Sequence, residues 1–137
     1  MYPAELVLPM KAELTEKGFK DLATPELVDS AMKVEGTTLL VLNSVCGCSA
    51  GTARPGVLAA VANASKKPTQ CVTSFAGFDV DAVKQARTYL LPYPPSSPCI
   101  ALLKDGQLVH MVERHMIEGR SAEMIAANLT QAFEQYC

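Results

Sequence analysis

Cys46-Gly47-Cys48 places two thiols on either side of one glycine. Cysteine sulfur at that spacing offers two chemistries, thiol–disulfide exchange by a thiolate and metal ligation. Cys71, Cys99 and Cys137 bring the total to five in 137 residues. An odd, sparse set is no disulfide scaffold, and a chain that is 49% hydrophobic can build a core without one. The thiols therefore point to exchange or to metal. Two cysteines one residue apart can close a ring, but the ring strains the preferred torsion and Cα separation, which makes it easy to reduce. Gly47 is expected to let the backbone bend tightly between the sulfurs. For metal, Cys46, Cys48 and Cys99 with a histidine would make a zinc or iron–sulfur set, although the spacing matches no established motif of either kind. Cys71 lies within an apolar run, where cysteine usually serves as a small hydrophobe.

The elements around the pair decide how reactive it is. Thr37 to Asn43 is a nearly continuous apolar run, as expected of a strand buried on both faces. The Ala-rich stretch from about Ser49 to Ala64 is helical in composition, with Gly51, Pro55 and Gly56 bending or delaying it. The pair thus falls at a strand-to-helix junction, where free N–H groups and the helix dipole favour thiolate over thiol. Upstream, Leu6, Met10 and Leu14 with Val7 form an amphipathic stripe ending near Gly18, with a bend at Pro9, and Thr24-Pro25-Glu26 opens a helix to about Lys33. Downstream, Gln70 to Phe75 reads as a strand, and Asp79 as the cap of a helix with Val83, Ala86 and Leu90 inward, stopping before Pro92. Cys99 to Lys104 and Gln107 to Val112 flank Asp105-Gly106, a pair suited to a type I′ hairpin. Ser121 caps a last helix with Ile125, Leu129, Ala132, Phe133 and Tyr136 on one face. This order implies a βαβ unit joined to an antiparallel ββα unit in one mixed α/β sheet with helices on both faces and extra N-terminal helices, a thioredoxin-like plan over a single domain, residues 1–137.

In that plan a Cys46–Cys48 disulfide is expected to be less reducing than thioredoxin at roughly −270 mV, nearer the glutaredoxin or disulfide-isomerase range. A regular hairpin pairing Lys104 with Gln107 sets Pro98 opposite Glu113 and Ser97 opposite Arg114. Thioredoxin-like proteins carry a cis-proline against the active disulfide at this strand's start, so Ser97-Pro98 is expected to be cis. The same geometry places Cys99 close to Cys46, with Arg114 and His115 at the rim. Arg114 is suited to bind a carboxylate, and so to dock an acidic low-molecular-weight thiol. His110 is expected as a half-exposed sheet residue. Cys137 follows the last helix, where a mobile thiol could resolve a mixed disulfide on Cys46 or Cys48.

Composition narrows the classes. With 19% charged residues and a net charge of −2, no bulk field recruits nucleic acid or anionic membrane. Apolar runs such as Leu39 to Leu42 are far short of the roughly 20 residues a bilayer requires. Met1-Tyr2-Pro3-Ala4-Glu5 has no signal-peptide pattern, so a cytoplasmic protein is expected.

Asn43-Ser44-Val45-Cys46-Gly47-Cys48, Ala53-Arg54-Pro55, Ser96-Ser97-Pro98, Ala101-Leu102-Leu103-Lys104, Arg114-His115 with Ile117-Glu118-Gly119, and Cys137 together resemble the bacilliredoxins over almost the whole chain. The resemblance implies a thioredoxin-like thiol–disulfide oxidoreductase that removes bacillithiol from modified protein cysteines, with disulfide isomerase activity also attributed to the family. It implies S-thiolated client proteins and a small thiol as partners, and no organic cofactor or metal. Cys46 then resembles the attacking thiol, Cys48 the second active cysteine and Cys137 the family's carboxy-terminal cysteine. Cys71 and Cys99 stand outside the pattern. The predicted strand before the motif also lacks the carboxylate that thioredoxins use for proton transfer.

Overall fold

The computed structural model describes residues 1–137. In chain order the elements are α1 Ala4–Thr15, β1 Lys20–Asp21, α2 Pro25–Met32, β2 Thr37–Asn43, a π-helical turn Ser49–Ala53 running into α3 Arg54–Asn63, β3 Gln70–Phe75, α4 Val80–Thr88, β4 Cys99–Lys104, β5 Gln107–Val112, α5 Arg114–Ile117 and α6 Ala122–Tyr136. The strands lie in the order β1-β3-β2-β4-β5. β1, β3 and β2 run parallel, and β4 and β5 are antiparallel to their neighbours, which is the expected βαβ plus ββα arrangement.

Every residue of β2 is buried, because the strand is central and helices cover both faces. Alternation along the strands splits the core in two. Leu39, Val41, Ile100 and Leu102 pack with Val57 and Ala60 of α3 and with Leu129 and Phe133 of α6. Leu40, Leu42, Ala101 and Leu103 pack with Val28 of α2 and Ala82 and Ala86 of α4. Gly56 sets the spacing of the first layer, since a Cβ there would lie 2.7 Å from Cβ of Ile125 and 2.9 Å from the Ala122 carbonyl oxygen. Local signals act as expected: Thr24 Oγ1 accepts from the Leu27 amide at 3.2 Å, Ser121 Oγ from the Met124 amide at 3.2 Å, and Asp105 and Gly106 both take positive φ, as a type I′ turn requires.

Several expectations are corrected. The buried face of α1 is Val7, Lys11 and Leu14, while Leu6 is exposed. Lys11 can go inside because its Nζ meets Asp79 Oδ2 at 2.8 Å and Asp21 Oδ2 at 3.1 Å. Asp79 holds the cap position of α4, but its carboxylate turns back to Lys11 and accepts from the Phe75 amide, leaving the helix without a side-chain cap. The hairpin is not regular either: Leu103 pairs with Leu108 but Leu102 with His110, so Val109 is an unmatched bulge residue. Beyond it the register slips by one and carries Arg114 towards Pro98 in place of Glu113. No helix is long and apolar enough to cross a membrane.

Candidate active site

Where β2 ends, Asn43 and Arg54 fix the turn that carries the thiols. The Asn43 Oδ1 atom accepts from the Ser44 amide at 2.8 Å, Ser49 Oγ at 2.9 Å and Arg54 Nη1 at 2.9 Å. Arg54 Nη1 also donates to the Ser44 carbonyl and to Ser49 Oγ, both at 3.0 Å, and Nε donates to Glu13 Oε1 at 3.0 Å. Only 1% of Arg54 is exposed, so its charge is tolerated through these partners. Asn43 Nδ2 donates to the Met10 carbonyl at 3.2 Å and ties α1 to the junction.

On this support Cys46 and Cys48 are partly exposed and unequal. Cys46 Sγ accepts from the Cys48 amide at 3.4 Å and from Arg114 Nη2 at 3.3 Å. A hydrogen bond from the Cys48 thiol is the largest influence holding Cys46 below the ordinary thiol range. Partial burial opposes it, while the Cys48 amide, the Arg114 guanidinium and the Ser49 amide add to it. Cys48 is pushed the other way, first by burial and then by its bond and charge interaction with Cys46. The Cys46 sulfur is thus the more readily ionised of the two.

Arg114 is steered by the bulge and by the start of α5. Its Nη1 donates to the Ser97 carbonyl at 3.1 Å, and its Nε pairs with Glu118. Arg114 and Cys46 line a cleft of about 470 Å³ together with Val45, Ser97, Tyr2 and Gly77. Tyr2 donates its amide to the Gly77 carbonyl at 3.1 Å, and a Cβ on Gly77 would strike the tyrosine ring at 2.5 Å.

The remaining candidates divide. Pro98 is buried and follows a cis bond, as does Pro92. Cys99 is not beside Cys46: it is buried in the α2/α4 layer, and burial pushes its thiol up to about 11, with Arg87 and Glu113 as its charged neighbours. The set of Cys46, Cys48, Cys99 and a histidine is therefore not assembled, and no group of three or more His, Cys, Asp or Glu side chains is placed to share a metal ion. His115 points outward, its Nε2 3.8 Å from Glu113 Oε2. Partly buried His110 meets Asn128 Oδ1 at 2.7 Å. Gly47 has no positive φ, and a Cβ there would meet nothing, so the turn does not demand a glycine. Cys137 lies at the other end of β2, its Sγ 3.4 Å from Thr37 Oγ1, about 20 Å of strand away from the junction.

Sequence reasoning gave no role to Arg54, Asn43 or Tyr2. A charged residue inside an Ala-rich helical stretch was a usable signal for Arg54. Nothing in the sequence marked Tyr2, whose place depends on Gly77.

The family model described as "Disulphide isomerase" matches residues 2–137. A bacilliredoxin of Cytophaga hutchinsonii is 59% identical over 135 residues, covering 98% of this chain and 99% of that one. A bacilliredoxin of Bacillus licheniformis is 50% identical, covering 99% and 95%. Among solved structures, Fasciola hepatica thioredoxin superposes with a TM-score of 0.61 at 15% identity, covering 87% of this chain and all of that one (100%). Oxidised mitochondrial thioredoxin 3 from Saccharomyces cerevisiae gives 0.59 at 14% identity, covering 85% and 94%. At such identities the structures speak for a thioredoxin-like fold alone.

Proposed function

This chain belongs to the bacilliredoxin family and is a thiol–disulfide oxidoreductase; on that premise we propose that it reduces mixed disulfides between bacillithiol and protein cysteines through Cys46 and Cys48. The observation that carries the proposal is the inequality of the two sulfurs: the Cys48 amide and Arg114 Nη2 both donate to Cys46 Sγ, which is held below the ordinary thiol range, while burial pushes Cys48 above it. Cys46 thiolate attacks the bacillithiol sulfur of the mixed disulfide. The old S–S bond breaks, the client leaves as a thiolate that takes a proton from solvent, and bacillithiol is now disulfide-bonded to Cys46. Cys48 then loses its proton and attacks the Cys46 sulfur, releasing bacillithiol and leaving a Cys46–Cys48 disulfide. Alternatively, a second bacillithiol attacks the bound one, which leaves as bacillithiol disulfide and restores Cys46. Neither route uses an organic cofactor or a metal. Cys137 sits too far from the pair for either step in this conformation.

Arg114 supports the reading in two ways: its guanidinium stabilises the Cys46 thiolate, and its position in the cleft suits a carboxylate of the small thiol. Pro98, next to the cleft-lining Ser97, and Gly47, between the two thiols, are the site's supporting residues, whereas His115 is a rim residue whose ring meets Glu113. Client proteins carrying S-thiolated cysteines are the macromolecular partners, and a cytoplasmic setting suits this chemistry.

Mass spectrometry of single variants after reaction with a bacillithiol-modified client tests the assignment. Cys48→Ser should accumulate bacillithiol on Cys46, Cys46→Ser should accumulate none, and Cys99→Ser and Cys137→Ser should turn over like the parent. Removal of bacillithiol from the client by Cys46→Ser at the rate of the parent would reject it. The name of the family model favours a second reading, disulfide isomerisation. Recovery of a scrambled disulfide substrate without any removal of bacillithiol from the client would select that reading.

A further inference from the structure

A second pair of thiols lies at the opposite end of the sheet. Thr37 opens β2, and its backbone amide donates to Thr69 Oγ1 at 3.1 Å while the Thr69 amide donates to Thr37 Oγ1 at 3.1 Å, so the two threonines are cross-strand neighbours. Cys71 stands two residues beyond Thr69, opposite Leu39, and so projects to the same side of the sheet as Thr37. Its backbone is a diagonal neighbour of Thr37 in this parallel pair, about 8 Å away by ordinary strand spacing and rise. Cys137 reaches this corner from the end of α6: its amide donates to the Phe133 carbonyl at 2.8 Å, and its Sγ lies 3.4 Å from Thr37 Oγ1. Tyr136 and Cys71 pack against the same core layer. The two sulfurs thus share one threonine-lined corner, Cys137 exposed and Cys71 half-buried.

From this juxtaposition we propose that Cys71 and Cys137 are a second redox site, which closes into a disulfide by exchange with a small-molecule disulfide and does so without Cys46 or Cys48. The exposed Cys137 thiolate attacks one sulfur of the small disulfide, forming a mixed disulfide and releasing one small thiol. Cys71 thiolate then attacks the Cys137 sulfur and releases the second. Two protein thiols are oxidised to one disulfide, the small disulfide is reduced to two thiols, and the two thiol protons end on the products. Burial, with the Cys137 sulfur beside it, pushes the Cys71 thiol up to about 11, so the second step gains speed as pH rises through the alkaline range. The closed pair ties the end of α6 to β3.

The test treats Cys46→Ser/Cys48→Ser with hydroxyethyl disulfide, quenches with an alkylating agent and maps peptides. The expected result is a Cys71–Cys137 cross-link within one chain, leaving Cys99 as the free thiol. Adding Cys71→Ala should instead trap hydroxyethanethiol on Cys137 and lengthen the life of that adduct at least about tenfold, because an intramolecular attacker is gone. The same mapping on the parent chain guards against a poorly folded double variant. A stable Cys137 adduct with Cys71 still free, or cross-links only between chains, would overturn the proposal.

Discussion

At the scale of single residues, Cys46 is held below the ordinary thiol range by several donors converging on one sulfur. The Cys48 side chain is the largest of them and Arg114 a lesser one. Removing a group that favours the thiolate raises the pH at which it forms. The alkylation midpoint of Cys46, followed with iodoacetamide, should therefore move up in Cys48→Ala and in Arg114→Ala, further in the first. Arg114→Ala should also raise KM severalfold for a carboxylate-bearing mixed disulfide, since the guanidinium lines the cleft. The redox couple belongs to this scale as well. Equilibrium titration against glutathione buffers should place Cys46/Cys48 above the roughly −270 mV of thioredoxin, because a ring spanning one intervening residue holds its disulfide under strain.

At the scale of elements, the junction between β2 and α3 depends on a buried cation. Arg54→Leu takes the arginine donor from Ser49 Oγ and the Ser44 carbonyl, removes one of three donors to Asn43 Oδ1, and should lower stability in urea unfolding by about 2–4 kcal/mol. Gly47→Ala should change it by less than about 0.5 kcal/mol, because no atom opposes a Cβ there. The main elements were legible in the sequence for local reasons: β2 and β4 are apolar runs, Thr24 and Ser121 are caps that bond within their own first turns, and Asp105-Gly106 is a turn in itself. What was not legible depends on distant partners. Lys20–Asp21 is a strand only because β3 lies alongside, and Lys11 is inside only because Asp21 and Asp79 arrive there. The Val109 bulge has no sequence mark, so counting back from the turn misplaced the charged residues by one.

At the scale of the whole molecule, the same split applies to the thiols. Cys46 and Cys48 were readable as a unit because they are adjacent in the chain. The corner shared by Cys71 and Cys137, and the separation of Cys99 from Cys46, emerge only after the sheet is assembled. Buried thiols also couple the fold to pH. Cys99 is raised from 9.0 to about 11, so the neutral thiol is the form that the native state prefers. Its contribution is full below pH 9 and is lost as pH climbs towards 11, by about 2–3 kcal/mol when titration is complete. Thermal unfolding between pH 8.5 and 11 should accordingly fall less steeply in Cys99→Ala than in the parent. The unmatched Val109 reaches furthest across the molecule. Had Val109 been paired without a bulge, Glu113 would lie opposite Pro98 in place of Arg114, and a carboxylate near the Cys46 sulfur would disfavour its thiolate. The charge that the Cys46 sulfur meets is thus set by one unmatched residue in a hairpin and lies outside the motif that carries the thiols.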